Sequence, residues 1–457
     1  MTARDARPLP VRPLWAGRAL ALAGVLLVAI NLRTAVAALS PIFGAIEIDI
    51  PFGSLGIGVL GTLPPLCFAA FGLLTPLLQR HLRLETLLLF ALAAMVLGDA
   101  GRALSGSYAV LVGSSILTFA GMGTGNVLLP PLVKKYFPDR IGLLTSLYAT
   151  SMALFSLVPP LVAVPVSEQA GWRVSVGMWG VFSVIAIAPW LVLLVRDRRA
   201  VRPEKGDSSG DSATGERAVS ETDESADGAT HAPGGTGGPL VGRVWHSGLA
   251  WALAIMFGVT SLNVYAVFAW LPELLTERAG VDAAQAGALL ALYSAMGIPL
   301  SLLIPLLASR LPGIGGLVWA GAGFYLAGDL GLLLAPGTLT WLWVAFAGIG
   351  PLLFPLSLLL VNLRTRSQAG SVALSGFMQG IGYLIGAAGP LLLGVLREST
   401  GDWTLALLFL TATVPIILIA GLVVARPRLL EDDWHRRTPE VPIGTGRRPA
   451  EGRTLDR

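Results

Sequence analysis

Twelve stretches of about 20 mostly apolar residues follow one another along this chain, the length that carries a helix across roughly 30 Å of hydrocarbon. They begin near residues 17, 53, 84, 108, 142, 173, 247, 283, 314, 338, 370 and 403. A helix satisfies its own backbone hydrogen bonds inside lipid, so segments of this kind lead to an all-α integral membrane fold of twelve transmembrane helices. Composition agrees: apolar residues make up 54% and charged residues 13%, with a mean hydropathy of +0.71. The first segment reads as a retained helix, because its apolar run from Ala19 past Arg33 exceeds the core of a cleavable signal.

The net charge of +4 and pI near 9.4 come from an uneven distribution of basic residues. Numbering the gaps between segments in order, the N-terminus, the even-numbered gaps and the C-terminal tail hold 27 of the 32 Lys and Arg, and the odd-numbered gaps hold four: Arg102, Arg173, Arg278 and Arg397. Cytoplasmic loops retain positive charge, so both termini are expected on the cytoplasmic side of a cell inner (plasma) membrane. The basic pI then reports topology, and no nucleic-acid partner is expected. The single cysteine, Cys67, excludes an intramolecular disulfide. His81, His231, His246 and His435 all fall outside the apolar segments, and no Cys/His cluster has metal-ligand spacing, so neither metal nor other cofactor is expected.

Residues 201–244 lose apolar side chains to Gly, Ser, Thr, Asp and Glu and read as a flexible cytoplasmic linker; residues 431–457 read as a disordered cytoplasmic tail. The linker separates two six-helix bundles, 1–200 and 245–430. The halves repeat each other. GTGNVLLP (123–130) matches GIGPLLFP (348–355), TPLLQR (75–80) matches IPLLASR (304–310), LGD (97–99) matches AGD (327–329), and GW at 171–172 matches DW at 402–403. In the first and seventh segments Asn31 and Pro41 correspond to Asn263 and Pro272. A duplicated six-helix unit is the organisation of transporters that bind substrate between two halves near the bilayer midplane.

Twelve segments in a 6 + 6 repeat with a long central loop resemble the major facilitator superfamily. Within it, the local sequences are similar to the cyanate permease and 2-nitroimidazole exporter family. The resemblance rests on NLRTAVAALSPIFGAI, GNVLLPPLVKKYFPDRIGLLTSLYATS, SLNVYAVFAWLP and LSGFMQGIGYLIGAAGPLLLG followed by TGDW, and it covers the chain outside linker and tail. The loop after the second segment, GLLTPLLQRHLR, keeps Gly72, Arg80 and Arg83 but lacks the aspartate usual in the superfamily.

Arg33 poses the sharpest chemical question. At about 1.5 Å per residue it lies some 20 Å from either end of its helix, close to mid-bilayer. A guanidinium stays charged at any relevant pH, so its surroundings must supply an anion. One reading is a small anionic solute, such as cyanate or a carboxylate, with Asn31, Asn126, Asn263, Tyr265, Gln379 and Tyr383 as further contacts. The other is an ion pair with Asp99 or Asp329. The resemblance favours the solute, since the family carries Asn-Leu-Arg at this place. Asp99 and Asp329 are repeat-related candidates for proton coupling; Asp99 has Arg102 at i+3 as an alternative partner, and Asp329 has none. Ser375, Gln379 and Tyr383 share one helix face, whereas Asn263 and Tyr265 point to different sides of the seventh segment. Trp270 reads as an interfacial anchor, and the glycines of GMGTG (121–125) and GIGYLIGAAG (380–389) as close helix contacts.

Among function classes, a primary pump is disfavoured because Lys134, Lys135 and Lys205 follow no phosphate-binding loop. A membrane enzyme would need a nucleophile with its base, and a receptor would add a folded soluble domain. The expected function is therefore secondary transport of a small solute by a monomer in the lipid bilayer, with protons as the coupling ion. Export of nitroimidazole-like heteroaromatic compounds is the alternative.

Overall fold

The computed structural model describes residues 18–79, 81–200, 244–311 and 313–435. Among these residues are twelve helical spans and no strand: Ala19–Asp49, Gly53–Leu78, Leu84–Ala103, Tyr108–Tyr136, Leu143–Ala170, Trp172–Arg196, Gly248–Ala279, Ala283–Ala308, Gly315–Leu334, Thr340–Leu363, Gly370–Thr400 and Thr404–Ala425. Each starts within two residues of its expected position. Residues 201–243 of the linker and 436–457 of the tail lie outside the described residues, as does Arg80. Leu430–His435 is helical, where the sequence reading begins a disordered tail at 431. The Glu431 side chain explains the order there: it accepts bonds from the Arg366 and Ser367 backbone N–H groups, at 3.0 and 3.1 Å.

Local chemistry sets the span ends. Ser107, Ser247, Asp282 and Ser367 each cap a helix start by accepting a backbone N–H three residues on. The seventh and eleventh spans stop at Gly280 and Gly401, whose φ of 67° and 69° is a left-handed backbone that side chains with a Cβ rarely adopt. Prolines interrupt two spans. Ser40–Ile42, with Pro41, and Gly350–Leu352, with Pro351, are 3-10 turns within the first and tenth spans. Pro351 stands at the repeat position of Asn126, so the same helix is broken in one half and continuous in the other.

Successive spans alternate in direction. Residues 18, 137–140, 364–367 and 426–435 therefore lie at one face, called here the terminal face, and 50–52, 104–107, 280–282 and 401–403 at the opposite, distal face. Within each half, the first and last spans are joined twice. At mid-depth Ser183 donates to Asn31 Oδ1 at 2.8 Å, and Asn263 donates to Thr413 Oγ1 at 2.9 Å. At the distal face the Trp172 indole donates to Asp49 and the Trp403 indole to Glu277, at 2.9 and 2.7 Å. Arg173 and Arg397 complete the same two carboxylates at 2.6 and 2.7 Å. The GW and DW repeat match thus marks a duplicated clamp.

The halves meet at the distal side. Gly58 and Gly61 of the second span pack against Pro390 of the eleventh, where a Cβ on Gly58 would stand 3.0 Å from the Pro390 carbonyl oxygen. Thr62 donates across the halves to the Ala387 carbonyl at 2.9 Å, and within the C-terminal half the Trp270 indole donates to the Pro390 carbonyl at 2.8 Å. Trp270 is fully buried and edge-on to Trp403, so it joins two spans within the protein and is not the interfacial anchor expected. Gly287 of the eighth span closes on the Pro160 carbonyl of the fifth. Apolar packing follows the same plan. One core fills the N-terminal half and continues into the distal part of the other through Leu271, Leu274 and Leu393; a second core fills the terminal side of the C-terminal half alone. The molecule is closed distally and parted toward the terminal face.

The mid-depth clamps lead to a specific expectation. A double-mutant cycle of Asn263→Val with Thr413→Val, read by thermal unfolding of the detergent-purified protein, should return a coupling near 0.6 kcal/mol, the average for such bonds in membranes. The Asn31 and Ser183 pair should return a similar value, and a coupling of zero in both would remove the clamps.

Candidate functional site

Arg33 sits below the distal closure, on the first span, with its side chain partly exposed. Its guanidinium lies over the Phe68 ring of the second span, 5.8 Å from the centroid. Across the divide between halves it lies beside the hydroxyls of Tyr265 and Tyr383. Tyr383 is edge-on to Phe68, Phe257 and Tyr265, with centroids 6.0, 5.2 and 6.4 Å away. A permanent cation from one half is therefore faced by an aromatic and hydroxyl wall contributed mainly by the other. A small cavity of about 20 Å³ adjoins on the distal side between Val36, Leu60, Phe119, Tyr265 and Phe268, room for about one water.

No carboxylate among the described residues forms an ion pair with Arg33. Asp99 is committed elsewhere: it pairs with Arg102 at 3.5 Å, accepts from Thr118 at 3.2 Å and is buried, while Arg102 also donates to Ser115 at 2.9 Å and lies over Phe119. Asp329 is buried in the C-terminal half beside the hydroxyls of Tyr293 and Tyr325. Its Oδ2 has no partner, and neither tyrosine hydroxyl has one. At the repeat position of Arg102 the C-terminal half has Leu332, which leaves Asp329 without the cation that neutralises Asp99.

Of the expected contacts, the structure brings Tyr265 and Tyr383 to Arg33. Gln379 lies one turn from Tyr383, partly exposed, and donates to Ser375 at 2.9 Å. Asn126 is partly exposed on the fourth span. Asn31 and Asn263 are corrections. Both are buried, and each spends its amide on its own helix, on Leu27 O and Val259 O at 2.7 and 2.9 Å, and on the clamp to the sixth or twelfth span. They face away from Arg33 because the 100° step of the helix that turns Arg33 and Tyr265 inward turns residues two positions earlier outward. Phe68 was not foreseen, since nothing in PPLCFAAFG, which holds both Phe68 and Phe71, marks either ring as facing the site. Ser183 and Thr413, the partners of the two asparagines, were not singled out by the sequence. The glycines divide: Gly121, Gly123, Gly125, Gly382, Gly386 and Gly389 are close helix contacts, but Gly380 is not, as a Cβ there would meet nothing within 4 Å.

The two intramembrane arginines should respond differently to neutralisation. Arg102→Leu strands a buried Asp99 and should cost about 3–5 kcal/mol of stability. Arg33→Gln strands no carboxylate and should melt within a few degrees of the parent protein. Equal destabilisation would place Arg33 in a structural ion pair.

A sequence profile of the Major Facilitator Superfamily matches residues 21–390. The chain is similar to an uncharacterized transporter, YycB, of Bacillus subtilis (31% identity, covering 91% of this chain and 95% of that one). It is also similar to two Escherichia coli proteins, the 2-nitroimidazole transporter (29%, 90% and 96%) and the cyanate transport protein CynX (24%, 88% and 97%). Its fold is similar to the solved structure of a bacterial homologue of the human lysosomal transporter Spinster, in an inward-facing and unoccupied conformation: TM-score 0.65, 14% identity, 92% and 98% of the two chains. With twelve spans in two clamped halves and a profile match across most of its length, the chain is a multi-pass membrane transporter that belongs to the Major Facilitator Superfamily.

Proposed function

We propose that the protein carries a small anion across a cell inner membrane by alternating access, with Arg33 as the anion anchor. The observation that carries this reading is a mid-depth guanidinium with no carboxylate partner among the described residues, set where the two halves part. A guanidinium fork suits a small anion such as cyanate or a carboxylate, and it binds best where water is partly excluded. Tyr265, Tyr383, Gln379 and Asn126 are the further contacts. The terminal face is the cytoplasmic one on the count of basic residues, so the conformation described above opens inward. Rocking of the halves about the site then breaks the Thr62, Gly58 and Gly287 contacts and closes the terminal side. A monomer suffices for this cycle, and protons are the coupling ion, with Asp329 rather than the paired Asp99 as their carrier.

A second reading has its own observation. The rings of Phe68, Tyr265, Phe257 and Tyr383 around the site suit a neutral heteroaromatic solute of the kind named for the 2-nitroimidazole transporter. A thermal-shift screen separates the two. Cyanate, nitrate and short carboxylates are compared with neutral azoles, in the parent protein and in Arg33→Gln. A true ligand stabilises by about 2.7 kcal/mol at a hundredfold excess over its dissociation constant. Stabilisation by an anion that disappears in Arg33→Gln is the expected result. Stabilisation by azoles alone, unchanged in the variant, would replace the anion reading with the second one.

A further inference from the structure

Gly376, Gly380 and Tyr383 fall at i, i+4 and i+7 of the eleventh span, on one helical face. A Cβ at Gly376 or Gly380 would meet nothing within 4 Å, whereas Gly382, Gly386 and Gly389 of the same helix are closed by Phe257, Ser261 and Leu262. Close packing therefore explains the second set of glycines and leaves the first unexplained, although glycine is the poorest helix former after proline. Two bare positions one turn apart leave a strip of uncovered backbone about 6 Å long. Tyr383 stands at its distal end, beside the Arg33 guanidinium and edge-on to Phe68. The strip runs from there toward the terminal face, which is the open side of the molecule.

We propose that this strip is a slot for a flat, ring-sized body, and that the solute is a planar arene- or heteroarene-carboxylate whose anionic head reaches Arg33. The inference rests on the anion reading and narrows it. A bare turn admits a ring lying flat against the helix, and the Tyr383 and Phe68 rings offer it the edge and face contacts that aromatic groups prefer. The head and the ring are then recognised by different elements: the first span holds the charge, and the eleventh selects the body. A triatomic anion or formate would satisfy Arg33 and leave the strip empty. The same arrangement accounts for a cation and an aromatic wall in one site, which neither a bare inorganic anion nor a neutral ring uses in full.

The test uses the full-length protein in proteoliposomes, with formate, benzoate and neutral imidazole as competitors, for the parent chain, Gly380→Leu and Arg33→Gln. In the parent protein benzoate should half-saturate at least about tenfold below formate, the scale of one good aromatic contact. Gly380→Leu fills the strip without touching the anchor. It should raise the benzoate value by about tenfold or more while formate stays within about twofold. Because the new side chain enters open space, melting without ligand should be unchanged; if Gly380→Leu melts lower, Gly376→Ala with Gly380→Ala gives the same ordering on a smaller scale. Equal strength of benzoate and formate in the parent, or equal weakening of both in Gly380→Leu, would overturn the slot and leave the anion reading standing. Failure of either anion to compete in the parent protein, or an unchanged anion response in Arg33→Gln, would instead overturn the carrier reading and the slot with it.

Discussion

A permanent positive charge near the middle of a hydrocarbon layer constrains everything around it. Arg33 cannot lose its proton, and facing lipid would cost at least about 2.5–3.5 kcal/mol. The fold answers by placing it at the seam between two six-helix halves, with the Phe68 face and the Tyr265 and Tyr383 hydroxyls nearby and no carboxylate among the described residues paired with it. Its twin problem, Arg102, is solved in the ordinary way, by Asp99, Ser115 and Thr118 in a buried network. The contrast between these arginines is physical: one charge is satisfied within a half, and the other is exposed to whatever enters between the halves.

The halves themselves must be stiff if they are to move as units. Each is tied between its first and last spans at two depths, by an asparagine with a hydroxyl partner and by a tryptophan indole on a carboxylate. Contacts between the halves are of another kind. They are gathered at the distal side: glycines against proline carbonyls, the bond from Thr62 to Ala387, and an apolar core that runs on through Leu271, Leu274 and Leu393. Ties inside each half and contacts between the halves gathered on one side are what a rocking motion requires. The charge that needs a partner then lies just below the closed side, where, on the proposed anion reading, a solute arriving from the open side would meet it before the halves separate.

Much of this was legible in the sequence, for physical reasons. Apolar length alone places all twelve spans, because a membrane admits few other structures for such a chain. The repeat was legible because Asn31 and Asn263, and Trp172 and Trp403, do the same work in both halves. That work was less legible than its presence. Asn31 and Asn263 looked like solute contacts, since a polar side chain in an apolar helix has the same signature whether it faces a cavity or a neighbouring helix. Trp270 looked like an interfacial anchor for a similar reason, and only the Pro390 carbonyl beside its indole shows otherwise. Phe68 and the open strip at Gly376 and Gly380 depend on how the second and eleventh spans face the first, which no local pattern encodes.

The central claim is that Arg33 holds the transported solute as an anion between the halves. It is tested most directly by counterflow: uptake of an isotope-labelled arene carboxylate into proteoliposomes preloaded with the unlabelled compound, which needs no gradient of the coupling ion and so reports binding and rocking alone. The account predicts rapid exchange by the parent protein and background exchange by a folded Arg33→Gln variant. Equal exchange by the two proteins would contradict it.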